Sequence, residues 1–263
     1  MKYRILRSPL LQRFIDMHRE YIREIPESKT AVLFIHGILG TPDHFIDFVK
    51  EVPREYSVYN ILLDGHGKGV AEFSKSSMKK WRRQAKDIAE KLCRKYENII
   101  IAAHSMGTLF AIELAIKHAE KVKFLFLLAC PMKVGLRFSA FRNIYFIRRY
   151  GDRYSDEAAK NLIRLCSVKI EKGFFKYLGW IPRYLELFSE IRKVRKIYMS
   201  LNVPGFVFIS KNDELVSETS ADILRKNKNL HVRILSESSH SIYSREDYEY
   251  LLSSFKSAIN SNL

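Results

Sequence analysis

The chain has three cysteines, Cys93, Cys130 and Cys166. Their odd number and wide spacing exclude a disulfide framework and a cysteine-rich metal site, and a reducing, cytoplasmic location is the expectation. Long apolar runs are also missing. No stretch approaches the roughly 20 uninterrupted apolar residues a membrane-spanning helix needs. Lys2, Arg4 and Arg7 interrupt the opening Met1 to Pro9, so neither a signal peptide nor a membrane anchor is expected there. Neither G-x-G-x-x-G nor the phosphate-binding P-loop occurs, so Asp64-Gly65-His66-Gly67-Lys68-Gly69 reads as a plain loop after a strand. Internal repeats and low-complexity linkers are absent. Acidic residues are scarce, 29 against 45 Lys and Arg, for a formal charge of +16. A field of that sign favours acidic substrates, phospholipid surfaces or nucleic acid, or does no more than keep the chain soluble. No nucleic-acid motif accompanies it, and no nucleic-acid partner is expected.

What is present is an apolar chain long enough for a sizeable core. At 263 residues, 47% hydrophobic and 13% aromatic, it is not a disordered polymer. Short apolar runs alternate with helical patterns. An edge strand is expected around Glu20 to Ile25, with a short amphipathic helix before it. Buried strands are expected at Ala31 to Ile35, Val58 to Leu63, Ile99 to Ala103, Phe124 to Leu128, Gly205 to Ser210 and Leu230 to Leu235. Helices are expected at about Pro42 to Val52, along Met78, Trp81, Ala85, Ile88 and Leu92, at Ser217 to Lys226 with Ser217 as N-cap, and along Tyr248, Leu251, Leu252 and Phe255. Strands with both faces apolar, alternating with helices, describe an α/β fold: a doubly wound, mostly parallel sheet. The alternation breaks over 132–200, where the sequence is helical, aromatic and basic. Sixteen Lys and Arg stand against six Asp and Glu over 133–200. That stretch reads as a helical cap inserted into a core made of 1–131 and 201–263.

The chemistry concentrates where strands end. After the run Ile99-Ile100-Ile101 comes Ala103-His104-Ser105-Met106-Gly107, and then an apolar helix pattern. A serine on so tight a strand-to-helix turn projects its hydroxyl out of the sheet. The positions two before and two after must be small, because strand and helix crowd there. The amide of Met106 opens the helix and can face an oxyanion. After the strand ending at Ser210 stands Asp213, with Glu214 beside it as the rival acid. After the strand ending at Leu235 stands His240. In parallel sheets the carboxyl ends of the strands share one crevice, so these residues can meet. The order Ser105, Asp213, His240 is that of a nucleophile, an orienting acid and a base. His36-Gly37-Ile38-Leu39-Gly40 follows the strand ending at Ile35. Here His36 is expected to shape the turn through a hydrogen bond, and Gly37 to allow its sharpness. His66 and His104 read as structural, and His44 and His118 as surface residues of helices. Cys93 and Cys166 read as buried apolar residues, and Cys130 as a residue of the pocket or of the strand end.

On His36-Gly37-Ile38-Leu39-Gly40, Asp64-Gly65-His66-Gly67, His104-Ser105-Met106-Gly107, Asp213 with Val216, and His240, the chain resembles the α/β-hydrolase superfamily. It is most similar there to capped serine esterases and monoacylglycerol-lipase-like hydrolases, the group also called serine aminopeptidase-like. Ala103 stands where that family usually has glycine. The resemblance implies a second oxyanion donor at the amide of Ile38, beside Met106. It implies a serine hydrolase acting on short or medium acyl esters or monoacylglycerol-like small molecules through an acyl-enzyme, with no cofactor and no metal. Amide, peptide or thioester substrates would use the same parts. A non-catalytic protein gripping anionic surfaces is the reading from another class. It rests on Arg137, Arg142, Arg148, Arg149, Arg192, Lys193, Arg195 and Lys196, which equally make a solvated face or a weak membrane contact. Phe138, Phe141, Tyr145, Phe146, Phe174, Phe175, Tyr177, Leu178 and Trp180 either wall an acyl pocket or pack the cap onto the core.

Overall fold

Strand β2, Thr30–Ile35, is buried along its whole length, and its side chains alternate between two apolar layers. Ala31, Leu33 and Ile35 enter one layer; Val32 and Phe34 enter the other. The period of two that places side chains on opposite faces produces this division. β4, Asn98–His104, and β5, Val122–Leu128, divide in the same way. β1, Tyr21–Arg23, β3, Ser57–Ile61, β6, Gly205–Ser210, and β7, Leu230–Leu235, complete a seven-stranded sheet of order β1-β3-β2-β4-β5-β6-β7. Only β1 runs antiparallel. In this computed structural model the described residues are 18–135, 165–169, 171 and 173–261.

Helices cover both faces. On one side lie α1, Ile46–Glu51, and α7, Arg245–Ser261. There Phe255 meets Phe48 and Phe126 with ring centroids 5.4 and 5.2 Å apart, within the range of favourable aromatic packing. On the other side lie α3, Met78–Lys95, and α4, Met106–Lys117, preceded in the chain by the short α2, Val70–Ser74. Ser77 caps α3 by accepting from the Lys80 amide at 3.2 Å, and Met78, Trp81, Ala85, Ala89 and Leu92 are its buried face. α4 is apolar almost all round, as a helix enclosed by a sheet and its neighbours must be.

The expected strands all form. The helix expected at Ser217 to Lys226 is shorter: α6 is Thr219–Leu224, and its N-cap position is Glu218, whose side chain makes no capping bond. Ser217, one residue earlier, pairs its hydroxyl with that of Thr219 at 2.8 Å and accepts from the Thr219 amide at 3.4 Å, and its carbonyl accepts from the Ser220 amide at 2.8 Å. The short helix expected before β1 lies largely outside the described residues.

Of the stretch 132–200, the described part holds a 3-10 turn, Phe174–Trp180, then α5, Ile181–Ile197, and a further 3-10 turn, Tyr198–Ser200. α5 packs on α3 and α4. Glu186 accepts from the Met78 amide at 2.9 Å, and Arg183 donates to the carbonyls of Ser74 and Ser76. Glu190, buried, pairs with Lys193 at 2.6 Å and reaches Arg82, which holds Glu113 at 2.7 Å. Tyr177 and Trp180 pack inward, Trp180 on Phe73 at 5.1 Å. Phe175 and Leu178 face solvent. Phe138, Phe141, Tyr145, Phe146, the side chain of Phe174, and Arg137, Arg142, Arg148 and Arg149 lie outside the described residues. Among the described residues, no helix is long and apolar enough to cross a membrane.

Candidate active site

The sheet order reverses direction at β2: β3 lies on one side of it and β4 on the other. The crevice above such a switch point collects the loops at the carboxyl ends of the strands. The loop after β2 and the turn after β4 meet there.

Ser105 sits between β4 and α4 with φ 52° and ψ −122°, a conformation that L-residues other than glycine rarely adopt. Its surroundings hold it there. Its amide donates to the Leu128 carbonyl at 2.8 Å, and its carbonyl accepts from the amide and hydroxyl of Thr108 at 3.0 and 2.6 Å. Gly107 has no room for a side chain, since an added Cβ would lie 2.3 Å from the Ile35 carbonyl oxygen. Ala103 fits: it is fully buried, in register with Ile35 and Leu127. The crowding that forbids a side chain therefore falls on the helix side of the turn.

Three side chains from three strand ends form a line. Ser105 Oγ lies 3.1 Å from His240 Nε2, and His240 Nδ1 lies 2.9 and 3.1 Å from the two carboxylate oxygens of Asp213. A carboxylate only accepts, so Nδ1 carries the proton and Nε2 is free to accept from the serine hydroxyl. Asp213 is held in turn by the amides of Leu215 and Val216, each donating to Oδ1 at 2.8 Å. Burial disfavours the His240 cation, but the charge and hydrogen bond of Asp213, with the charge of Glu214, outweigh it and raise its pKa above the ordinary value. Glu214 does not touch the imidazole; it accepts from the His240 amide at 3.2 Å.

The turn after β2 lies against this line. Leu63's amide donates to His36 Nε2 at 3.1 Å, so His36 Nδ1 donates to the Gly37 carbonyl at 2.8 Å. Burial, and the neighbouring His66, press the His36 pKa well below the ordinary value and keep the ring neutral. Gly40 closes the turn by donating to the Gly37 carbonyl at 3.0 Å, with Leu39 at φ 57°. A Cβ on Gly37 would stand 2.8 Å from Ser105 Cβ, so glycine here lets the turn approach the serine. Ile38 is half-buried between the two glycines, and Met106 opens α4, where the first amides have no acceptor within the helix.

Several neighbours differ from the expectation. His44 is buried, not a surface residue. Its ring lies 4.0 Å from that of His104, its Nε2 is 3.3 Å from the Tyr243 hydroxyl, and burial lowers its pKa to about 3. The Pro42–Phe45 turn folds it under the serine loop, which helical periodicity does not reveal. Ser167 donates to the Leu39 carbonyl through both its amide, at 2.9 Å, and its hydroxyl, at 3.3 Å. No local pattern marks Ser167; contact across the chain alone gives it a role. Cys130 is fully buried, and burial pushes its thiol up to about 12, which keeps it protonated. Cys93 and Cys166 are half-buried. Asp64 is exposed and receives the Ser76 hydroxyl at 2.8 Å, away from the line. A hollow of about 400 Å³ runs along α3 beside Asp64, Lys80, Arg83 and Asp87. Its charged walls make it a solvent groove.

The family model described as Alpha/beta hydrolase family matches residues 32–250. A probable lysophospholipase of Arabidopsis thaliana, BODYGUARD 4, is 30% identical over 115 residues, 43% of this chain and 27% of that relative's own length. Among solved structures, a metagenome-derived lipolytic enzyme described with the pair LipS and LipT superposes with TM-score 0.69 at 15% identity, covering 92% of this chain and 97% of its own. The monoacylglycerol lipase of Paleococcus ferrophilus does so with TM-score 0.66 at 15% identity, covering 92% and 98%. At such identities these two likenesses concern the fold. The match over most of the length, on a sheet of this order with a serine at the β4 turn, makes the chain a member of the alpha/beta hydrolase family.

Proposed function

We propose that the chain is a serine hydrolase that cleaves carboxylic esters, of short or medium acyl chains or of monoacylglycerol type, through an acyl-enzyme. The observation that carries the reading is the unbroken hydrogen-bonded line Ser105–His240–Asp213. Ser105 Oγ attacks the ester carbonyl carbon while His240 Nε2 takes its proton. The oxyanion of the tetrahedral intermediate accepts from the amides of Ile38 and Met106, and each such donor is worth about 10²–10³ in rate. His240 then gives its proton to the leaving alcohol. A water, deprotonated by His240, repeats the attack on the acyl-serine; the C–Oγ bond then breaks, His240 returns that proton to Ser105 Oγ, and the acid is freed. Asp213 holds the reactive tautomer and offsets the charge that forms on the imidazole. The side chains buried beside these loops, Met106, Met132, Val168 and Val216, are apolar, which suits an acyl chain over a charged group.

Residues 132–200 act as a cap on a core of 1–131 and 201–263, with Ser167 and α5 as points of attachment. Phe175, Leu178, Ile181 and Leu185 are exposed along this segment, and Arg192, Arg195 and Lys196 follow on α5. They favour a weak contact with anionic lipid surfaces, read by sedimentation with anionic vesicles at low and moderate salt. Three free cysteines fit a cytoplasmic location.

A fluorophosphonate probe and a panel of p-nitrophenyl esters test the hydrolase. Labelling and turnover are expected in the parent and lost in Ser105→Ala. A parent that does neither, or activity unchanged by Ser105→Ala, overturns the reading.

A further inference from the structure

The loop carrying His240 has no regular secondary structure, yet its imidazole must meet two partners at once. We propose that His104 and Glu214 form a clamp on the main chain of His240 and act as positioning residues for it; this rests on the reading of His240 as the base.

The geometry is reciprocal. His104 Nε2 donates to the His240 carbonyl at 2.9 Å, and Glu214 Oε2 accepts from the His240 amide at 3.2 Å. Both side chains are buried. His104 is the covalent neighbour of Ser105, and Glu214 that of Asp213. Each flank of the line thus supplies one side chain that holds the backbone of the third member. With the amide and carbonyl of His240 both taken, the peptide planes on either side of its Cα are set. The remaining freedom is side-chain rotation, which Asp213 and Ser105 occupy.

The His104 ring is itself fixed in direction. It lies 4.0 Å from the His44 ring with a 32° tilt, and 4.9 Å from the His240 ring. Nε2 carries the proton it donates to the carbonyl, and the neutral ring leaves Nδ1 without one. Burial and the neighbouring His44 and His240 oppose its protonation, in agreement. The local hydrogen bond from the Ser239 amide to the Ile242 carbonyl does not reach the His240 backbone groups.

Two pairs of variants separate positioning from bulk. His104→Phe keeps a ring on His44 and His240 and removes the donor; His104→Gln restores a donor. Glu214→Leu removes the acceptor; Glu214→Gln restores an acceptor without charge. The readouts are kcat and KM on a p-nitrophenyl ester, fluorophosphonate labelling rate, and the pH profile of kcat/KM. His104→Phe and Glu214→Leu are expected to lose on the order of 10–100-fold in kcat, with KM little changed, as a misplaced reacting group does. Each Gln variant should regain most of that loss, and Glu214→Gln should also move the acid limb to lower pH. Should His104→Phe fail to fold, the Glu214 pair tests the clamp from the amide side. Labelling of His104→Phe and Glu214→Leu at the parent rate, or Gln variants no better than these, overturns the clamp and leaves the hydrolase reading standing. A parent that does not label at Ser105 removes both.

Discussion

The Cβ that Gly107 lacks would sit 2.3 Å from the carbonyl oxygen of Ile35, closer than any real carbon approaches. Helix α4 therefore starts directly against the end of β2, and that closeness aims Ser105 into the crevice. Gly107→Ala should force the two apart. Overpacking of this kind costs roughly 1–3 kcal/mol or more, read as a lower urea midpoint, and activity should fall with it. Ala103→Gly, on the other side of the serine, should cost only about 0.5–1 kcal/mol, the backbone entropy of a glycine in a strand.

Asp213 and Glu214 are adjacent, and only Asp213 reaches the imidazole. Asp213→Asn keeps the shape but upsets the tautomer of His240, and kcat should fall on the order of 10³–10⁴-fold. Steady-state kinetics beside Glu214→Gln check this. A larger loss in the glutamate variant would reverse the assignment of the acid.

As the proposed base, His240 has to be neutral to take a proton. Its pKa is raised above 6.5, so the acid limb of kcat/KM should have its midpoint above 6.5. For stability, a raised folded pKa contributes below the unfolded value and loses that contribution as pH rises through the folded one.

His44 and His66 have the opposite sign. Burial holds them at about 3 and about 4, against 6.5 for a free histidine. The unfolded chain takes up protons first, so their contribution is full above 6.5 and is lost as pH falls toward those values. Each should add a slope of about 1.4 kcal/mol per pH unit within that window. Urea titrations between pH 7 and 4 should show stability falling with acid, and His44→Phe should flatten the slope.

Arg183 and Glu186 fasten α5 to the start of α3, through the carbonyls of Ser74 and Ser76 and the amide of Met78. Arg183→Ala leaves two carbonyls without their donor and should cost roughly 1–3 kcal/mol. Arg245→Ala breaks only an exposed pair with Glu249 and should leave the midpoint nearly where it is. Urea midpoints of the two variants make the comparison.

The strands, the small residues of the serine turn, and the order Ser105, Asp213, His240 were legible along the chain. Each depends on its near neighbours: a buried strand must be apolar on both faces, and a sharp turn must be small. Ser217 shows how that legibility fades at the ends of elements: the helix begins two residues later, at Thr219, whose amide the Ser217 hydroxyl still accepts. The burial of His44, the hold of Ser167 on Leu39, and the division of labour between Asp213 and Glu214 were decided by the tertiary structure. They depend on which distant backbone groups needed a partner once water was excluded. A sequence states what each segment can offer; only packing determines which offer is taken, because an unpaired polar group costs nothing until it is buried.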